Sequence, residues 1–172
     1  MAMIFSISSE DNFGEPVKVE TTDLDFSSGF QIDEAQLTGL DLSGSRFNFK
    51  ARTINPINGS LSIISGNDIL GTITFSPEML LKIKAEKASF DTTSNLMKLE
   101  GNLHLENDKF SVFGSTVTFD FDKNIIHSNK DIIVLMPSTE IKAGRIKVFR
   151  NSSENSHFKI FLGNRVILKY LL

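Results

Sequence analysis

The sequence predicts an all-β chain in which repeated hairpins build two antiparallel sheets. Three observations carry this. A short pattern recurs at constant spacing, no window of ten residues keeps a helical period, and the apolar parity slips at the same point of every copy. Ile83, Val112 and Ile141 are equally spaced along the chain, and Phe90, Phe119 and Val148 keep the same step. Upstream, Phe49, Ala51, Ile54 and Asp68 all precede Ile83, Ala85, Ala88 and Asn102, respectively, by one common interval. A fixed period of roughly 20–50 residues marks one supersecondary unit stacked on copies of itself.

The elements follow in chain order. Residues 1–25 are acidic and weakly periodic and read as a flexible arm, with a short apolar start at Ile4, Phe5 and Ile7. Residues 26–172 read as the β domain. Phe30, Ile32 and Leu37 lead into a turn signal at residues 39–44. Phe47, Phe49 and Ala51 then alternate with polar residues, as a strand with one buried face does. Asn58-Gly59 signals a hairpin turn, and a strand runs from about Ile69 to Phe75. Residues 77–80, with Ser76 as a cap, are the only helix-like stretch, one turn at most.

The parity slip recurs between Ala85 and Ala88, Gly114 and Val117, and Ala143 and Ile146. A one-residue slip flips the buried face of a strand, so a bulge or corner is expected near Lys87, Thr116 and Arg145. A small residue (Ala51, Ala85, Gly114, Ala143) precedes each slip, which suits a close approach of two sheets. The expected architecture is a sandwich or roll with an open seam, and a parallel β-helix is the rival stack.

Composition narrows the chemistry. The chain has 172 residues, 15 Phe, one Tyr and no Trp, which suits a dry apolar interior. It has no Cys, which excludes disulfides and thiolate metal sites. His104, His127 and His157 are not at ligand spacing, so no metal site is expected. His104 lies between Leu103 and Leu105 and should face solvent. Asp120 and Asp122 share a strand face, but beside Lys123-Asn124 they read as turn formers rather than a catalytic pair. No nucleophile elbow, phosphate loop or dinucleotide fingerprint occurs, and no catalytic residue or cofactor is expected. Asn58 and Asn151 begin glycosylation sequons that read as turn chemistry. A pI of 5.6 and the lack of an aromatic–basic platform argue against nucleic acid.

What remains is binding. Alternation places Phe49, Ile83, Ala85, Phe90, Leu103, Leu105, Val112, Phe119, Val134, Ile141 and Val148 on the inner face, as candidates to line a groove for acyl chains. Lys142, Arg145, Lys147 and Arg150 are candidates to meet headgroup phosphates at one rim. Charge is uneven: residues 1–45 carry −8 and residues 139–172 carry +5. Residues 132–136 (IIVLM) are apolar on both faces and need a cover, an apolar ligand or a partner, a covering loop being the plainest choice. The apolar last strand, with Val166, Leu168 and Tyr170, is an expected open edge.

Several segments carry a family likeness. Residues 36–47 (QLTGLDLSGSRF), 83–85 (IKA), 99–105 (LEGNLHL), 141–144 (IKAG) and 163–166 (GNRV) resemble the LptC family of periplasmic lipopolysaccharide-export proteins, in its α-proteobacterial branch. The resemblance covers roughly residues 20–172. Gly101 and Gly163 match the recurring Gly-Asn of the family's strand pairs. The resemblance implies an open, twisted β-jellyroll of the OstA/LptA type and a non-enzymatic relay. Such a protein receives lipopolysaccharide from the inner-membrane transporter LptB–LptF–LptG and hands it to the bridge protein LptA. Jellyrolls of this group join by strand pairing, with the C-terminal edge strand towards LptA, and the same edges allow a homodimer. Family members usually begin with a single-pass membrane anchor, so the resemblance implies a domain at the periplasmic face of the inner membrane, with Ile4-Phe5 the last trace of a removed anchor.

Overall fold

The computed structural model describes residues 6–9, 31–40, 45–57, 60–76, 79–150 and 158–170. They form thirteen strands: β1 (Ser6–Ser9), β2 (Ile32–Leu40), β3 (Arg46–Ile57), β4 (Ser60–Ser76), β5 (Met79–Asp91), β6 (Leu96–Glu106), β7 (Ser111–Asp120), β8 (Ile125–Ser128), β9 (Ile132–Met136), β10 (Thr139–Ala143), β11 (Arg145–Arg150), β12 (Phe158–Gly163) and β13 (Ile167–Tyr170). Among the described residues there is no helix. The strands pair antiparallel in an open sheet that does not close into a barrel, an open jellyroll-like fold. Antiparallel pairing rules out the parallel β-helix.

The two expected sheets are the two halves of one continuous sheet. The strands from β2 to β7 cross a common corner, where the register skips Glu34, Arg52, Asp68, Glu86, the pair Gly101-Asn102, and Ser115. The skipped residue reverses the parity. Before the corner of β5, Leu81, Ile83 and Ala85 are buried; after it, Phe90 is. The corners expected near Lys87 and Thr116 lie there, whereas the slip expected near Arg145 falls at the break between β10 and β11. Glu34, Asp68 and Asn102, equally spaced along the chain, have positive φ, as does Gly101 at +77°. Polar side chains bridge the corner at the same interval. Arg52 Nε lies 2.6 Å from Asp68 Oδ2, and Asn102 Nδ2 donates to Glu86 Oε1. A side chain at Gly101 would collide with Glu86.

The hairpin ends repeat as well. Asn95 and Asn124, as far apart in sequence as Phe90 and Phe119, take the left-handed conformation favoured in turns. Asp91 accepts from the backbone N–H of Thr93 (2.9 Å) and Ser94 (3.2 Å), and Asp120 accepts from the N–H of Lys123 (3.0 Å).

Past β7 the two halves separate. Residues 118–120 of β7 pair with β8, and residues 111–114 pair with β9. One arm continues β8–β11–β12 and the other β9–β10–β13. The chain crosses between arms at residues 129–131, at Gly144 and at residues 164–166. The Gly144 N–H donates to the Asn164 carbonyl at 2.8 Å, tying two of these crossings together.

Three expectations change. The helical stretch expected at residues 77–80 is not seen at its described end: Met79 and Leu80 open β5, and Ser76 pairs with Met79, so these residues join the ladder instead; residues 77–78 lie outside the described residues. Part of the acidic arm, β1, is tied to the sheet edge, with Ser6 opposite Thr38 and Ser9 opposite Ala35; the rest of residues 1–25 lies outside the described residues. Among the described residues no loop covers residues 132–136, where Leu135 remains 37% exposed. The turn signals at residues 41–44 and 58–59, and the sequon at Asn151, also lie outside the described residues.

Candidate functional site

The sheet encloses two interiors. Between β3, β4, β5, β6 and β7 the space is filled. Phe47 stacks on Phe121 with centroids 4.9 Å apart, and Phe90 and Phe119 lie 6.3 and 6.2 Å from Phe121. Phe49, Ile69, Ile73, Met97 and Leu99 complete this core, each 5% exposed or less. Its residual voids measure only about 20 and 40 Å³.

Between the separated arms lies a hollow of about 230 Å³. Val112 and Val117 of β7, with Leu81, Leu103 and Leu105, make its inner end. Ile126, Ile146, Val148, Ile160 and Leu162 form one wall, and Ile132, Val134, Met136 and Ile141 the other. Phe75, Met79 and Phe110, near the hairpin ends, also border it. Among the described residues its polar side chains are Thr116 and Ser128, the Ser128 hydroxyl being engaged by the backbone of Lys130, and none that line it is charged. Ile160 sits opposite inward-facing Val148 yet is 59% exposed, so the hollow opens along the β12 edge.

Six of the eleven groove candidates line this hollow: Leu103, Leu105, Val112, Val134, Ile141 and Val148. The other five do not. Phe90 and Phe119 belong to the aromatic stack, and Phe49, Ile83 and Ala85 are buried beside it. All eleven face inward, but those five meet side chains long enough to reach across. The sequence reading missed Phe75, Met79, Phe110, Ile126, Met136, Ile160 and Leu162 as lining residues, and Val117 and Ile146 served it only as parity markers. The alternation of Ile160 and Leu162 with Lys159 and Phe161 was the available signal.

The candidate headgroup bases do not converge. Lys142 lies on β10, and Arg145 and Lys147 lie on β11, in different arms. Ala143 and Ile146 are the buried neighbours, so these three bases face outwards. Lys142 approaches Glu140 at 3.3 Å, and the Lys147 ammonium sits 4.5 Å from the Phe149 ring centroid. The Arg150 side chain lies outside the described residues. The edge candidates fall together: Val166, Leu168 and Tyr170 are 48%, 51% and 75% exposed. Leu168 pairs with inward-facing Ile141, so these three prolong the apolar inner face to the rim. Among the described residues β13 pairs only with β10, which leaves its other side open.

The polar candidates have structural partners. Burial alone would raise the Asp120 carboxyl, but hydrogen bonds from the Lys123 ammonium (2.8 Å) and backbone N–H, with the Lys123 charge, hold it below its usual value. The same contact raises Lys123. Hydrogen bonds from Ser94 and Thr93 lower Asp91. Asp122 accepts from Asn95 Nδ2 at 2.9 Å. These carboxylates fasten turns, as their setting beside Asn124 predicts. His104 faces outwards but is only half-exposed, because its ring lies 4.5 Å from Phe113 and nearly parallel to it. Among the described residues no cluster of potential metal ligands occurs.

The architecture is therefore an open antiparallel β-jellyroll with an apolar hollow and an open edge. No protein-family model matches the chain, and no curated protein matches it.

Proposed function

We propose that this protein is a non-enzymatic relay for lipopolysaccharide at the periplasmic face of the inner membrane, taking the lipid from the LptB–LptF–LptG transporter and passing it to LptA. The observation that carries the reading is the hollow between the arms, lined among the described residues by apolar side chains apart from Thr116 and Ser128, and open along one edge. An acyl chain lying in this hollow of about 230 Å³ gains about 0.8 kcal/mol for each methylene it buries. Apolar cavities smaller than this, roughly 150 Å³, stay dry and take up hydrophobic ligands. The family resemblance supplies the identity of the lipid. The open β13 edge, with its inward apolar row, supports transfer to a partner whose sheet adds on there.

A structural β-repeat scaffold is the second reading, favoured by the filled Phe core. A photoreactive residue decides between them. Placed at Val134, in cells that make lipopolysaccharide, it forms a lipopolysaccharide adduct, and the same probe at Phe119 forms none. Absence of an adduct at Val134 and at Ile141 sinks the relay and leaves the scaffold.

A further inference from the structure

The arm built from β8, β11 and β12 turns one face to the hollow and the other outwards. Ile146, Val148, Ile160 and Leu162 take the inner side, so alternation sends Arg145, Lys147 and Phe149 of β11, and Lys159 and Phe161 of β12, to the outer side. The register sets Lys147 opposite Phe161, Phe149 opposite Lys159 and Arg145 opposite Gly163. Bases and rings therefore alternate as a checkerboard across the two strands. On the β8 side, His127 stands opposite Lys147.

Charge and exposure define what this face meets. β8, β11 and β12 contain no Asp or Glu. On the adjoining β7, Asp120 is already engaged by the Lys123 ammonium at 2.8 Å. Arg145, Lys147 and Lys159 have no ion-pair partner among the described residues. The Lys147 ammonium rests 4.5 Å from the Phe149 ring centroid, and Phe149 meets Phe161 edge to face at 5.5 Å. Phe161 nevertheless stays 58% exposed, a large apolar group left in water among cations. A purely apolar partner would bury those cations unpaired, and free inorganic phosphate would leave Phe161 wet. The edge-to-face rings, with Lys147 over one of them, do not offer the parallel faces on which successive nucleic-acid bases stack. A lipid surface suits both kinds of group. Anionic headgroups present one sign of charge over a wide area, and the acyl boundary just beneath them accepts an aromatic ring. The chain as a whole carries −3, so such a surface favours the orientation that presents this face.

We propose that the outer face of β8, β11 and β12 docks on an anionic phospholipid surface. Arg145, Lys147 and Lys159 reach headgroup phosphates as charge-assisted hydrogen bonds, and Phe161 enters the headgroup–acyl boundary. Docked in this way, the β12 edge along which the hollow opens borders the lipid. Docking does not require the hollow to carry lipid, because the residues that line the hollow project from the opposite face of the same strands.

The test is flotation of the full chain with vesicles of phosphatidylglycerol and phosphatidylcholine in equal parts, against vesicles of phosphatidylcholine alone. Binding is expected to the anionic vesicles only, and should weaken as salt is raised. Lys147→Gln and Lys159→Gln should each weaken it about fivefold, the share of one base near an anionic surface. Phe161→Ser, which keeps every charge, should weaken it as well. All three substitutions lie on the outer face, and their melts by circular dichroism should match wild type. No binding, equal binding to both kinds of vesicle, or unaltered affinity in both lysine variants overturns the proposal. Binding that survives both lysine variants but vanishes in Val134→Phe places the lipid contact in the hollow and also overturns it. Polyaspartate bound as tightly as the vesicles, with no loss in Phe161→Ser, assigns the face to an acidic protein and overturns it too.

Discussion

The Phe-filled half and the hollow half of this sheet are made by the same repeat, yet one is a core and the other a container. Both present an inner stripe of apolar residues with the same step along the chain. They differ in two respects. The filled half brings Phe47, Phe90 and Phe119 onto Phe121, whereas the two walls of the hollow are mainly Val and Ile. The filled half also has strands that run unbroken through the corner, whereas past β7 each arm has its own strands. Short side chains on walls that stand apart cannot meet. The comparison teaches that inward orientation and contact are separate properties.

The largest effect that would break this comparison is a charge in the filled half. Phe119→Glu places a carboxylate at a site 2% exposed and should abolish the cooperative thermal transition seen by circular dichroism, because burying an unpaired charge costs several kcal/mol. Survival of that variant with a native spectrum would mean that the aromatic stack is not a core. Enlarging a side chain sharpens the contrast. Val134→Phe should raise the melting temperature by filling the hollow, and should reduce lipid uptake. A matching enlargement in the filled half, Leu99→Phe at a fully buried site, should cost about 1–3 kcal/mol in denaturant melts. Equal losses at both positions would erase the distinction between the two interiors.

An effect of similar size is expected at the corner that both halves share. Gly101→Ala should cost about 1–3 kcal/mol, since Gly101 has φ of +77° and its missing side chain makes room for Glu86. Gly163→Ala, with only Arg145 Nε nearby at 3.8 Å, should be close to neutral in the same chemical denaturation. The smallest effect concerns pH. The folded Asp120 carboxyl titrates below its unfolded value of about 3.9. Its contribution is complete above that value and is lost as pH falls through the folded value. Asp120→Asn should therefore flatten the acid limb of the stability profile below about pH 4 and leave the neutral region parallel to wild type. An unchanged acid limb would remove Asp120 from the account of that turn.

Much of the fold was legible because it repeats. The constant step from Ile83 through Val112 to Ile141 named the inner face, and the slips after Ala85 and Gly114 located the corners to within a residue or two, while the slip after Ala143 marked the break between β10 and β11. The hollow was legible only in part. Alternation says which way Phe90 and Val134 point, but not whether anything opposite reaches them, and that depends on where the ladder divides. The four candidate bases are close in sequence, but the crossing at Gly144 sends Lys142 into one arm and Arg145 and Lys147 into the other.

The division of the ladder after β7 also sets how the molecule yields. Hydrogen bonds running through a corner fix the angle between two halves, and among the described residues the arms beyond β7 share no ladder; the Gly144 N–H bond to Asn164 spans two of their crossings. The volume of the hollow is therefore set by the separation of the two arms, which no ladder between them fixes among the described residues.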